Sequence, residues 1–450
     1  MTEAESGLPA PGPLTYEQEW YLRRVRGSTY TRRNVRLCYR ILGPLDTERF
    51  EEAVRLFVTR HDALRMALVP SGSDAPATAQ RLLPIRPDDR PIDGQHVTAV
   101  STGQFSHYAA ALFSRDVITP FADRGRPFSL RLLRHDPEHH AFLATFDNVF
   151  FDGRAHDLFS REVWRDYAAL GDTAADPPPV TAPSFARAAR DQREGRGPRR
   201  LERARASWQR RTEFAAGNRW RELDVAPTAS GSVHATIPEA LLEALREYCR
   251  QARCTVMHWL VGSFARSLAT HAGQRRLSLW TSLDSRPPAE RDTVGMFAGP
   301  APLAIGAPGA ALPEVVAEVG AAMVDALRHQ QLPAAELAAL LGTPPGPGAA
   351  AGAIARDVYV NLRSFPGSVR PPRGDSTLRI TPDAYPLRRI ALVDSSALHL
   401  RCNEYRDAVM IDLVFDGRRV GEPLARAIAD QITSDAAAVT GRRPSSERPQ

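Results

Sequence analysis

Ala141-Phe142-Leu143-Ala144-Thr145-Phe146-Asp147-Asn148-Val149-Phe150-Phe151-Asp152-Gly153-Arg154-Ala155 joins two kinds of pattern within fifteen residues. Its first part, Ala141 to Phe146, has the length and aromatic content of a buried strand and stops at Asp147-Asn148. Asp152-Gly153 is a turn dipeptide, and beyond it Leu158, Val163, Trp164 and Tyr167 recur at helical spacing. The stretch therefore reads as strand, tight loop, helix. Such a loop holds Asp147 and Asp152 between two buried elements, where a carboxylate is costly unless it is paired or put to use.

The same alternation extends outward. Arg36 to Leu42 reads as a strand, Gly43-Pro44 breaks it, and Asp46 caps a helix carrying Phe50, Ala53, Val54 and Phe57 on one face. Met66 to Val69 returns as a strand, Gln104 to Val117 is an amphipathic helix, and Pro127 to Arg134 is a further strand. His139 and His140 fall after Pro137, where a solvated turn is expected. Gly171 to Ser184 contains Asp-Pro-Pro-Pro-Val-Thr-Ala-Pro-Ser and little periodicity, which places a domain boundary there. The expected divisions are a flexible leader over 1–13, an N-terminal lobe over 14–175 and a C-terminal lobe over 176–450. In the second lobe, strands are expected at Val233 to Ile237, Leu277 to Ser282, Val358 to Asn361, Ala397 to Cys402 and Val409 to Phe415. Helices around Trp208, at Leu241 to Ala252, Val256 to His271, Leu312 to Leu341 and from Leu424 onward intervene, with a Pro-, Gly- and Ala-rich loop at Gly342 to Gly352.

Composition narrows the chemistry. With 450 residues, 43% hydrophobic and 24% charged, the chain is ordinary globular protein with ample length for a core. No apolar run approaches a membrane span, and Met1 to Pro13 has neither a basic region nor an apolar core, so no secretory signal is read and the cytoplasm is expected. All 58 Lys-plus-Arg residues are arginine, which excludes a P-loop lysine, a Schiff-base lysine and a Ser-Lys dyad. The net charge of +6 is scattered; the densest basic run, Arg187 to Arg211, also contains Asp191, Glu194 and Glu202 and reads as a solvated helix face, not a nucleic-acid surface. Cys38, Cys249, Cys254 and Cys402 have no zinc-site spacing, so reduced thiols and no metal site are expected.

Short motifs then add a specific signal. These are Leu14-Thr15-Tyr16-Glu17-Gln18; Leu42-Gly43-Pro44-Leu45-Asp46 with Arg60-His61-Asp62-Ala63-Leu64-Arg65; Asp147 to Gly153; Ser207-Trp208; Val294-Gly295-Met296-Phe297; and His329-Gln330-Gln331-Leu332-Pro333. In this order and register they resemble the condensation domains of the nonribosomal peptide synthetase superfamily, from about Leu14 to the last helix. The resemblance implies an α/β fold of two chloramphenicol-acetyltransferase-like lobes in a V-shaped pseudo-dimer with a tunnel between them. It also implies a free-standing, monomeric member with no cofactor of its own, whose substrate rides on the phosphopantetheine of a peptidyl or acyl carrier protein. Neither a metal nor a nucleotide is implied.

Asp147 to Gly153 stands where the family carries its catalytic HHxxxDG motif, and the departures are informative. Asp147 and Asn148 replace the two histidines. An amide accepts no proton at neutral pH, and losing a general base costs about a hundred- to ten-thousandfold in rate, although an amide can still orient a nucleophile or carbonyl. Asp152 and Gly153 are retained, and in the family that Asp belongs to a structural ion pair; Arg65 and Arg286 are both candidates for its partner. Asp147 is read as capping the loop, holding Arg154 or acting as a base of raised pKa. His156 replaces the missing imidazole only if it faces the tunnel, and a helix-start histidine is expected to be exposed. Phe151, with Phe150, is a candidate tunnel plug. Gly299, in Phe297-Ala298-Gly299-Pro300, takes a place where the family has Phe-x-Asn-Thr.

The leading expectation is condensation-type acyl transfer from a carrier-bound thioester to a small-molecule amine or alcohol. The alternative is a non-catalytic module that recruits a carrier protein or tailoring enzyme, as some family members with altered motifs do. Heterocyclization ranks third: Asp147 and Asp152 fit a DxxxxD spacing, but that subgroup has Ser where this chain has Ala155.

Overall fold

The computed structural model describes residues 9–25, 34–70, 77–84, 90–97, 101–116, 119, 121, 126–172, 176, 178–195, 197–217, 229–342, 357–364, 377–382, 384–385 and 396–439. These form two compact units, each discontinuous in sequence. The first draws on Met1–Gly197, Asp284–Ala298 and Gly367–Ile390, and the second on Pro198–Leu283, Gly299–Pro366 and Ala391–Gln450. The chain thus mixes helices and sheets in the α/β manner expected.

The first unit opens with β1 (Gly12–Pro13), α1 (Tyr16–Val25), β2 (Val35–Leu42) and α2 (Thr47–Arg60). A 3-10 turn at Asp62–Arg65 leads to β3 (Met66–Val69), β4 (Ala79–Leu82), β5 (Ile92–His96) and α3 (Thr102–Asp116). Then come β6 (Phe128–Asp136), β7 (His139–Phe146), α4 (Gly153–Leu170) and α5 (Phe185–Glu194). The second unit contains α6 (Pro198–Ala216), β8 (Gly231–Pro238), α7 (Glu239–Gln251), α8 (Val256–Ala272), β9 (Leu277–Asp284) and β10 (Ala298–Ile305). It continues with α9 (Leu312–Arg328), α10 (Ala334–Leu340) and β11 (Val358–Ser364); β12 (Arg379–Pro382) returns to the first unit, and β13 (Leu398–Glu404), β14 (Ala408–Phe415) and α11 (Glu422–Val439) complete the second.

In the first unit the sheet order is β12-β2-β7-β6-β5, antiparallel except for the parallel pair β5 and β6. All eight residues of β7 are buried. Because side chains alternate across a strand, Phe142, Ala144 and Phe146 pack with Phe50, Phe57 and Phe159 on one face, while Ala141 and Leu143 pack with Phe105, Ala109 and Phe113 of α3 on the other. A sheet covered on both faces explains why this strand is apolar without a break. It also corrects the expectation for His139 and His140: the turn is confined to Pro137-Glu138, and both histidines are buried as the first residues of β7. In the second unit the order is β10-β9-β11-β13-β14-β8, with β9, β11 and β13 parallel and β13, β14 and β8 antiparallel.

The units do not divide at 175/176. Asp62 accepts hydrogen bonds from the Ser184 hydroxyl (2.6 Å), Phe185 N (2.8 Å) and Ala186 N (3.1 Å), which anchors α5 within the first unit. Of the expected leader, Met1 to Leu8 lie outside the described residues, whereas Gly12 and Pro13 pair with Gln80 and Ala79 of β4. The expected loop at 342–352 lies outside the described residues from 343 onward. Nor is the basic run wholly solvated: Arg211 is buried and stacks over the Trp208 ring at 4.6 Å. Among the described residues, no helix is long and apolar enough to cross a membrane.

Candidate active site

Asp152 caps α4, its Oδ1 accepting from Ala155 N at 2.9 Å. The same carboxylate takes both arms of the Arg286 guanidinium, with Nη1 to Oδ2 at 2.8 Å and Nη2 to Oδ1 at 2.9 Å, and Phe297 N donates to Oδ2 at 2.9 Å. Asp152 is 1% exposed and the Arg286 side chain 3%, so the pair is dry, and such a pair is tolerated only when its remaining hydrogen bonds are met. They are met: Arg286 also reaches Thr293 O, Gly295 O and Asp284, and lies over the Phe297 ring. Burial alone would lower the guanidinium pKa, but the charges of Asp152 and Asp284 and their hydrogen bonds raise it instead. Of the two arginine candidates, Arg286 is therefore the partner; Arg65 donates to Leu83 O at 3.2 Å.

The segment that Arg286 carries is itself fitted closely. Thr15 Oγ1 donates to Met296 O, and the Ser285 hydroxyl donates to Glu17. A Cβ on Gly295 would stand 2.2 Å from Phe185 Cδ2, so no larger residue fits without displacing that ring. Gln18 Nε2 donates to Val149 O at 2.9 Å and to Gln80 at 3.0 Å, which ties α1 to the loop after β7. Three motifs far apart in sequence thus converge on one loop.

Within that loop Asp147 is buried and its Oδ1 accepts from Val149 N at 3.1 Å, while its carbonyl receives Phe150 N at 3.0 Å. This is the loop-capping role; Arg154 pairs with Asp157 at 2.7 Å. Phe151 is fully buried and stacks on Phe146 with ring centroids 3.9 Å apart, so it is a core residue of the first unit. Phe150 is equally buried. His156 is 8% exposed, against the exposed position expected, because the first turn of α4 is packed as it leaves the loop. Gly153 meets nothing within 4 Å of an added Cβ and opens the helix with ordinary backbone. Between His139 and Asp152 only Asn148 is partly exposed, and among the described residues its side chain makes no hydrogen bond.

In the second unit a separate cluster gathers the remaining motifs. Trp208 Nε1 donates to Gln330 O at 2.9 Å, and Gln330 Nε2 donates to Gly299 O at 2.8 Å and Leu283 O at 2.7 Å. The Ser207 hydroxyl donates to Asp325 at 2.7 Å. Gly299 therefore contributes a backbone carbonyl to a buried hydrogen-bond set. In the sequence Gln330 is marked only by its place in the His329 to Pro333 motif, and Asp325 by nothing beyond its position in a helix.

A family model described as condensation domain matches residues 12–347. The chain belongs to the condensation domain family. Among curated relatives, this condensation domain is 26% identical over 335 residues to phosphinothricin tripeptide synthetase PhsC of Streptomyces viridochromogenes, covering 72% of this chain and 30% of that protein. It spans 6%, 30% and 4% of the first three such relatives, two synthetases and a synthase subunit. Among solved structures, the condensation domain from the monacolin K polyketide synthase MokA superposes with a TM-score of 0.75 at 17% identity, covering 97% of this chain and 98% of that one. The X-domain solved in complex with OxyB from teicoplanin biosynthesis gives 0.66 at 21% identity, covering 97% and 96%. These likenesses establish the two-lobed condensation-domain fold; at such identities they carry no activity across.

Proposed function

We propose that this condensation domain catalyses acyl transfer in nonribosomal peptide or related natural-product biosynthesis, joining a carrier-bound acyl thioester to an amine or alcohol. The observation that carries the reading is Asn148. Its amide is partly exposed and unbonded among the described residues, at the end of a fully buried strand, while Asp147 on one side and Asp152 further on are engaged in holding the loop. An amide presented on a loop held in this way can orient a nucleophile or steady a developing oxyanion; it does not remove a proton. A thioester is already activated, so positioning supplies most of what the reaction needs, worth several kcal/mol. The substrate would arrive on a carrier protein's phosphopantetheine arm. The test is acyl transfer from a loaded carrier protein to candidate amines, followed by intact-protein mass spectrometry, with Asn148→Ala as the comparison.

A second reading follows from one specific feature. The carboxylates of the loop are both committed to structure, and Asn148 offers no base, which suits a recruitment module as well as it suits a positioning enzyme. The fold likeness to an X-domain solved in complex with OxyB makes a tailoring enzyme the partner to try. Binding of a carrier or tailoring enzyme without any turnover would support this reading over the first. Heterocyclization ranks behind both.

A further inference from the structure

The β6–β7 hairpin carries His135-Asp136-Pro137-Glu138-His139, a pattern that the function above does not use. The pairing of β6 with β7 shifts register between Arg134 and Asp136, so His135 is the extra residue of a bulge. A bulge re-aims the side chain it carries. Here the His135 ring stacks on Phe105 of α3 at 5.2 Å, and the His139 ring meets the edge of the same phenylalanine at 5.0 Å. The two imidazoles lie perpendicular with centroids 5.6 Å apart. One potential ligand atom from each of His135, Asp136 and His139 lies within 4.8 Å of the other two.

Two features go beyond proximity. His139 is 7% exposed, and its Nε2, like the Nδ1 of His135, is buried without a hydrogen-bond partner. Buried ring nitrogens left unpaired call for a water or an ion. Asp136 has already been fixed in direction, since its Oδ1 accepts from Glu138 N at 2.8 Å.

We propose that His135, Asp136 and His139 form a binding site for a divalent transition-metal ion of the zinc class. Two imidazoles and one carboxylate suit zinc, nickel or cobalt and disfavour magnesium and calcium, which prefer all-oxygen shells. A tetrahedral ion with bonds near 2.0–2.1 Å needs ligand atoms about 3.4 Å apart, so the three side chains, now within 4.8 Å of one another, must draw together as the ion binds. Three protein ligands leave a fourth position for water. The site lies at the opposite end of β7 from the loop that carries Asn148, and the strand between them spans about 24 Å at 3.4 Å per residue, so the ion ties the two strands of the hairpin together and takes no part in chemistry.

The experiment uses untagged full-length protein, stripped with chelator and titrated with zinc by calorimetry, with cobalt as an absorption probe of coordination geometry. The expected result is one equivalent bound and a tetrahedral-type cobalt spectrum. His135→Gln and Asp136→Asn, both at positions open enough to preserve the fold, should each weaken binding by at least the about 10- to 100-fold that loss of an outer-shell partner costs. Together they should abolish the cobalt bands. Absence of a stoichiometric site in the native protein, or unchanged affinity and spectrum in the double variant, would overturn the assignment.

Discussion

Arg286 holds Asp152 by two parallel hydrogen bonds of 2.8 and 2.9 Å, joining the segment Asp284–Ala298 to the N-terminus of α4. Planar fork meets planar carboxylate, which gives direction as well as attraction. Asp152 is thereby a fixed post at the end of the loop that presents Asn148.

Breaking that pair leaves a buried, uncompensated charge. Asp152→Ala should destabilise the first unit by about 3–5 kcal/mol, and Arg286→Lys, which keeps charge but loses the fork, by less. Urea denaturation followed by a probe in the first unit checks the order. Equal effects for the two variants would contradict the role given to the fork.

Gly295→Ala should also destabilise, by about 1–3 kcal/mol, because the new methyl meets the fully buried Phe185 ring at 2.2 Å. Phe185→Leu in the same chain should recover part of that loss, a coupling that a double-mutant cycle measures. Strict additivity would argue against the contact.

The acid limb of stability should depend on Glu162. Burial pushes its pKa up, but the hydrogen bond from His61 at 3.0 Å and the charges of His61, Arg60 and Arg165 outweigh burial and hold it below the ordinary 4.5. The unfolded chain then binds the proton more readily, so this stabilisation is fully present above about pH 4.5 and is lost as pH falls through the folded pKa. Glu162→Gln should lower stability at pH 7 and flatten its fall below pH 4.5. Denaturation midpoints across that range decide; a variant curve parallel to the native one would refute the linkage.

In the second unit, Trp208→Phe should cost about 1–3 kcal/mol by orphaning the buried Gln330 carbonyl, over and above any loss of packing. Thermal unfolding of the variant beside Gln330→Leu, which instead removes the donor to Gly299 O and Leu283 O, separates the two halves of the cluster.

Local structure was legible where one chain segment carries its own punctuation. The strand, loop and helix around Asp147 to Gly153 follow from apolar length, Asp-Gly and helical periodicity, and Met66–Val69 coincides with β3. Pairings between distant segments were not. Arg65 and Arg286 are equivalent as charges, and only the path of Asp284–Ala298 decides between them. The short polar β12 carries no period strong enough to announce a strand, yet it adds to β2 across hundreds of residues of sequence. His139 and His140 look like turn residues because polarity was read without knowing that α3 covers the strand end. At the candidate site the sequence isolated Asn148 but not the packing of its neighbours: Phe151 belongs to the core, and His156, expected to be exposed, is packed away.

The central claim is that Asn148 positions the reacting groups. Single-turnover acyl transfer from a loaded carrier protein, timed by mass spectrometry for the native protein, Asn148→Ala and Asn148→Asp, tests it most directly. The account predicts turnover by the native protein that falls about 10²–10³-fold in Asn148→Ala, the usual consequence of removing one oriented donor. Undiminished transfer in Asn148→Ala, or no transfer by the native protein with carriers it demonstrably binds, would contradict it.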